Sequence, residues 1–167
     1  MKIAVSGSHC TGKSTLIDEF LRVHPEFVHE AEPYEEMGEE FSAEPNVEDF
    51  VRQLEFNIER LKQHAPGTKV IYERCPIDFL AYIECVSRRS DPILEGLELS
   101  QHLDLIVYLP IDDTIEVSDE ELPKLRKAVD YRLSKIYQET DLGINVVEAT
   151  GPTEQRLRTL EAAITPQ

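Results

Sequence analysis

The nine residues Gly7-Ser8-His9-Cys10-Thr11-Gly12-Lys13-Ser14-Thr15 constrain this chain more than any other part of it. They satisfy the pattern G-x-x-x-x-G-K-[ST] without exception. Before them, residues 2–6 read as a short buried strand; after them, Leu16, Ile17, Phe20 and Leu21 recur at helical spacing. The glycines therefore mark a strand-to-helix turn, the context this pattern requires. Gly7 and Gly12 let the backbone bend so that successive N–H groups converge on one point, helped by the positive end of the helix beginning near Lys13. Such a point suits a phosphate. Lys13 is expected to reach the β- and γ-phosphates of ATP, and the Ser14 hydroxyl is placed to ligate Mg²⁺. His9, Cys10, Thr11 and Thr15 complete the phosphate-binding stretch, with Cys10 read as loop filler rather than nucleophile.

Strand and helix signals alternate along the rest of the chain. Residues 26–29 form a weak strand that ends near Pro33. The spacing of Val47, Phe50, Val51, Leu54, Ile58 and Leu61 predicts a helix over 46–64, capped by Asn46. Pro66-Gly67 breaks it, and residues 68–72 are a β-branched strand. A helix is expected from Pro76 to about residue 86, and a shorter one over 92–103. Leu103-Asp104-Leu105-Ile106-Val107-Tyr108-Leu109 reads as a strand covered on both faces. A charged helix follows over 119–140, then a strand over 145–149, Gly151-Pro152 and a last helix to about residue 164. This order implies an α/β fold: a five-stranded parallel sheet between two helical layers, in one domain spanning 1–167 with a lid-like segment about 112–140. Ligands of such sheets bind beyond the carboxyl ends of the strands, where the glycine loop lies.

Charge and cysteine content narrow the partners. Among 167 residues the net charge is −16. A surface this acidic repels polyanions, so no nucleic-acid partner is expected, and an anionic ligand must be held by a local cluster of donors. Glutamates crowd residues 30–44; most read as a solvated helical face, with Glu32 set apart by its place just past a strand. No apolar run approaches the roughly 20 residues that span a bilayer, so no membrane association is expected. With only a five-residue apolar strand before the glycine loop in MKIAVSGSHC, no secretory leader is expected, and three cysteines without metal spacing suit a reducing cytoplasm.

Several classes of nucleotide-binding protein do not fit. No aspartate is followed by glycine three residues on, and Asn-Lys does not occur, so the GTPase switch motifs are missing. A transporter-type signature is missing too. An AAA+ motor would need a strand ending in Asp-Glu and a C-terminal helical domain. Here a strand instead ends in Glu73-Arg74, within Val70-Ile71-Tyr72-Glu73-Arg74-Cys75-Pro76. Charge directly after a β-branched strand marks a site, because strand interiors favour apolar residues.

With these residues in view, the chain resembles the deoxynucleoside kinase and thymidylate kinase group of P-loop enzymes, and the small bacterial P-loop ATPases grouped with ribosylnicotinamide kinases. The resemblance covers most of the chain and implies the three-layer P-loop NTPase fold. It implies that Glu32, in Glu30-Ala31-Glu32-Pro33, is the catalytic base. Gln53 would contact the acceptor's base and Arg60, on the same helix face, its reacting end. Glu73 would stand near the metal and Arg74 near the acceptor oxygen, with Cys75 where the family carries serine. Arg126 and Arg132 would serve as lid arginines, Arg126 being also spaced for an i,i+4 pair with Asp130. Gly151 and Pro152 would brace the donor's adenine. The implied activity is ATP- and Mg²⁺-dependent phosphoryl transfer to a small nucleoside-like or nucleotide-like acceptor. The alternative is a regulatory ATPase that controls a protein partner. The apolar faces of the helices at 46–64 and 76–88 offer a means of homodimer formation.

Overall fold

The computed structural model describes residues 1–38, 44–87, 102–112 and 122–165. The helix expected over 92–103 falls almost wholly outside them, as does most of the lid segment before residue 122. Among the described residues the chain runs β1 (Lys2–Ser6), α1 (Lys13–Val23), β2 (Val28–Glu30), α2 (Pro33–Met37), α3 (Val47–Gln63), β3 (Val70–Glu73), α4 (Pro76–Ser87), β4 (Leu105–Tyr108), α5 (Pro123–Glu139), β5 (Asn145–Glu148) and α6 (Thr153–Ile164). The five strands form one parallel sheet in the order β2-β3-β1-β4-β5, as the alternation predicts.

Period-two alternation of the central strands sorts the core into two halves. Ile3, Val5, Ile71, Leu105 and Val107 face one layer, where α1 and α6 bring Leu16, Ile17, Phe20 and Leu160. Ala4, Val70, Tyr72, Ile106 and Tyr108 face the other, packed by α3, α4 and α5. Strands buried on both faces explain the unbroken apolar reading of β3 and β4. α4 is covered along nearly its whole length, so its apolar residues are spent within the domain.

The order also fixes where a ligand can sit. From central β1 the chain moves to β2 and β3 on one side and to β4 and β5 on the other, so the crossovers diverge at the carboxyl end of β1. The turns after β1, β2 and β3 open into that crevice.

Two strand boundaries and one expected surface differ from the sequence reading. β2 starts two residues later because Phe27 N–H turns back to the His24 carbonyl at 3.2 Å. β3 extends to Glu73, which pairs in register with Val5, so the glutamate is a buried strand residue. The acidic stretch after β2 is not simply a wet face: Glu36 Oε1 accepts from Ala31 N–H at 2.8 Å and its Oε2 accepts from Arg60 at 2.9 Å.

Candidate functional site

The turn after β1 has little room for side chains at its start. A Cβ on Gly7 would lie 2.6 Å from the Leu109 carbonyl oxygen and 2.8 Å from Thr11 Oγ1, at φ +154. Gly12 caps α1 in the left-handed region at φ 84. Between these glycines five successive carbonyls are held by cations. Arg74 Nη1 donates to Gly7 O at 3.0 Å, and Lys13 Nζ donates to Ser8 O at 2.9 Å. Arg126 donates to His9 O at 3.0 Å and Cys10 O at 3.1 Å, and Arg156 donates to Thr11 O. A peptide unit whose carbonyl is drawn to one side presents its N–H to the other, so this collar prepares a nest of donors ahead of the helix. Such a nest fits the phosphates of ATP.

The loop is pinned from below by Asp78. Its Oδ1 accepts from Gly7 N–H at 2.8 Å and Ser6 Oγ at 3.0 Å, while Oδ2 accepts from Cys75 N–H at 2.8 Å. The last bond closes the first turn of α4 in the manner of a capping box. A single aspartate thus ties the turn after β3 to the turn after β1. Cys75 itself is buried and its thiol is pushed well above the usual range by that burial, so it offers no nucleophile.

The charged groups converge on a cleft of about 600 Å³ at the carboxyl ends of β1, β2 and β3. Glu32 N-caps the five-residue α2 and turns its carboxylate to Arg74 Nε, forming a partly buried ion pair. Arg74 stands in the left-handed region at φ 73, with its N–H bonded to Val5 O at 3.0 Å and its guanidinium 5.3 Å from the Tyr82 ring centre. Burial works against the Arg74 charge, but the Glu32 carboxylate overrides it and holds the arginine firmly protonated. Burial likewise pushes Glu32 up, yet Arg74 and then Lys13 outweigh it, so the carboxyl titrates below the ordinary range. Lys13 is lowered to about 8, first by burial and then by Arg74.

Ser14 Oγ donates to Glu73 Oε1 at 2.8 Å, and both residues line the cleft. A hydroxyl and a carboxylate side by side form a hard oxygen pair that fits Mg²⁺, which keeps several waters and takes few protein ligands. Glu73 is raised by burial, partly countered by its bond to Ser14.

The opposite wall comes from α3 and α4. Asn46 caps α3 by accepting from Asp49 N–H at 2.9 Å, as expected, and donates to Asp49 Oδ2 at 2.7 Å. Asp49, Gln53, Asn57 and Arg60 recur at steps of four, four and three and are all buried, so α3 hides a polar stripe beside its apolar one. Asp49, Phe50 and Gln53 line the cleft, with Phe50 stacked on Tyr82 at 4.8 Å between ring centres.

The structure brings most of the expected site residues together: His9 to Ser14, Glu32, Gln53, Glu73 and Arg74 line one cleft. Others stand elsewhere. Thr15 follows the loop without lining the cleft. Arg60 shares the buried face with Gln53, but seven residues along a helix is about 10 Å. It lies behind the wall, donating to Ala31 O at 2.7 Å and to Glu36. Arg126 grips the loop from the carbonyl side, and Asp130, one turn further along α5 and within reach of its charge, accepts from Tyr108 Oη and Ile111 N–H. Arg132 pairs with Glu84 on α4, away from the cleft. Gly151 N–H donates to Asp112 Oδ2 at 2.7 Å, while Pro152 is the N-cap of α6. Asp78, Tyr82 and Arg156 were not singled out from the sequence. Asp78 had a readable signal, an acid three residues after Cys75 in the first turn of α4, whereas Arg156 lies 145 residues from the carbonyl it holds.

Known proteins share this architecture. Deoxyadenosine kinase from M. mycoides with bound dATP superposes with a TM-score of 0.69 at 12% identity, over 98% of this chain and 99% of that one. Thymidylate kinase from Ehrlichia chaffeensis gives a TM-score of 0.63 at 14% identity, over 98% and 96%. NadR protein in complex with NR gives 0.68 at 16% identity, over 99% of this chain and 52% of the other. At such identities the likeness shows the fold, that of the P-loop kinases. No curated protein matches the sequence. None of the described helices is long and apolar enough to cross a membrane. A family model described as an AAA domain matches residues 2–156, and the chain belongs to that family.

Proposed function

We propose that this protein is an ATP- and Mg²⁺-dependent kinase that transfers a phosphoryl group to the hydroxyl of a small nucleoside-like or nucleotide-like molecule. One observation carries the reading. The Glu32–Arg74 pair faces Lys13, Ser14 and Glu73 across a single cleft, so an acid–base group and a donor-phosphate site share one space.

Each residue then has a part. The loop N–H groups and Lys13 hold the β- and γ-phosphates of ATP. Lys13 exchanges its bond to the Ser8 carbonyl for phosphate oxygens. Ser14 and Glu73 hold Mg²⁺, which when bound neutralises charge on the phosphates. Arg74 donates to the transferring group from a fixed position, where a preorganised cation contributes most. Glu32, kept ionised at neutral pH, accepts the proton of the acceptor hydroxyl. The aromatic pair Phe50 and Tyr82 and the amide of Gln53 form the face on which the acceptor lies. Most of the catalysis is positioning and charge neutralisation.

Structural neighbours support the reading by the ligands they hold: the M. mycoides enzyme is a deoxyadenosine kinase with bound dATP, and NadR is in complex with NR. The test is a product analysis with γ-labelled ATP, Mg²⁺ and a panel of nucleosides and nucleotides. Label on an organic acceptor is expected. Label released only as inorganic phosphate, whatever the acceptor, contradicts the kinase reading and favours a regulatory ATPase.

A further inference from the structure

The charge of the cleft discriminates between acceptors. Outside the glycine loop, its charged lining among the described residues is Glu32, Asp49, Glu73 and Arg74. Three carboxylates thus face one guanidinium, and that guanidinium is engaged by Glu32, by the Gly7 carbonyl and by the Tyr82 ring. Arg60 is committed behind the wall to Glu36 and the Ala31 carbonyl. Arg52 is drawn to Asp49 Oδ1 at 2.6 Å. The remaining wall is ring-shaped and neutral: Phe50 stacks on Tyr82 with 24° between planes, beside Phe79, Tyr34 and Gln53.

A phosphomonoester carries between one and two negative charges near neutral pH, since its second pKa is about 6. Placed here it would meet, among the described residues outside the glycine loop, three carboxylates, Glu32 already paired with Arg74 and Asp49 with Arg52, and no cation that is not already bonded. A neutral or cationic ring-bearing alcohol meets stacking faces, an amide and acids that tolerate or favour it. We infer that the acceptor is an unphosphorylated, ring-bearing alcohol, so that the protein makes a first phosphate ester and does not extend a monophosphate. This rests on the kinase reading above. In the step, the acceptor oxygen bonds to the γ-phosphorus, the bond from that phosphorus to the β,γ-bridging oxygen breaks, and the hydroxyl proton passes to Glu32. The products are ADP and a monophosphate ester.

The experiment pairs each candidate with its own phosphate. Adenosine, deoxyadenosine, cytidine, thymidine and nicotinamide riboside, and their 5′-monophosphates, are titrated calorimetrically into the full chain holding Mg²⁺ and β,γ-methylene ATP. The same compounds are followed with ATP by phosphorus NMR. At least one unphosphorylated compound is expected to bind and be converted, with its monophosphate binding at least 10-fold more weakly and yielding no diphosphate. A monophosphate that binds more tightly, or forms a diphosphate faster, overturns the inference and leaves the kinase reading standing. ATP giving only ADP and inorganic phosphate with every compound overturns both.

Discussion

On the donor side of the cleft, one run of nine residues supplies the phosphate-facing groups, and Arg74, Lys13, Arg126 and Arg156 hold its carbonyls in place. On the acceptor side, Glu32, Asp49, Phe50, Gln53 and Tyr82 arrive from three separate elements, and acid outnumbers base. The donor side is rich in bound cations because it must organise backbone dipoles around a polyanion. Among the described residues the acceptor side has no cation that is not already bonded, which suits the unphosphorylated acceptor proposed for it. On the proposed reading, the difference teaches how an acidic chain would hold a triphosphate: its few cations orient N–H groups as well as supplying direct charge.

Lys13 separates the two sides most sharply. Lys13→Met should weaken ATP binding at least 100-fold by calorimetry while leaving the acceptor wall intact. The same change should stabilise the free protein. In the folded state Lys13 titrates near 8 against an ordinary 10.5, so below pH 8 the lysine is charged in both states and the full cost of burying it is present, about 3 kcal/mol. That cost fades as pH rises from 8 to 10.5. A melting temperature several degrees higher at pH 7, with nucleotide binding gone, is the expected pair of results; unchanged binding would remove Lys13 from the site.

Glu73→Ala comes next. It should raise the Mg²⁺ concentration needed for half-maximal turnover about 10-fold or more, with little change in Mg²⁺-free ADP binding. An unchanged Mg²⁺ requirement would leave the Ser14–Glu73 pair a purely structural contact.

Arg156 tests the collar. A bond from a charged donor contributes about 1.5–3 kcal/mol. Arg156→Gln should therefore lose at least about 10-fold in ADP affinity and leave acceptor KM unchanged. Arg156→Lys, which keeps a charged donor for the Thr11 carbonyl, should recover part of the loss. Equal affinity in all three proteins would reduce Arg156 to a core residue.

The smallest effect is a pH dependence. Bound phosphates restore Lys13 toward its ordinary value, so above pH 8 binding takes up a proton and affinity falls as pH rises. Calorimetry at pH 8.5 in two buffers of different ionisation enthalpy should show fractional proton uptake. Proton release would reverse the assignment.

The donor side was legible in the sequence because its chemistry is local. Nine consecutive residues carry the turn, the lysine and the hydroxyl, and the flanking apolar periods give the strand and helix that aim them. The sheet was legible for the same reason, since β3 and β4 are apolar without interruption. Glu73-Arg74 stood out as charge at a strand end, although only the structure shows Glu73 inside β3 and Arg74 in a left-handed conformation. The acceptor side resisted reading because side-chain reach is set by tertiary packing. Gln53 and Arg60 share a helix face, yet one lines the cleft and the other is captured by Glu36 and Ala31. Arg126 is drawn to loop carbonyls, and Arg132 finds Glu84 on a neighbouring helix. No spacing rule announces a guanidinium that crosses the domain to bond a carbonyl, as Arg156 does.

The claim that the two sides cooperate in transfer rests on Glu32, which touches both through Arg74 and Lys13. Single-turnover transfer from γ-labelled ATP by Glu32→Gln, measured beside its ADP affinity, tests that claim most directly. A loss of at least 100-fold in the transfer rate, with ADP affinity within about 3-fold of the parent, is the predicted result. A transfer rate equal to the parent's would contradict it.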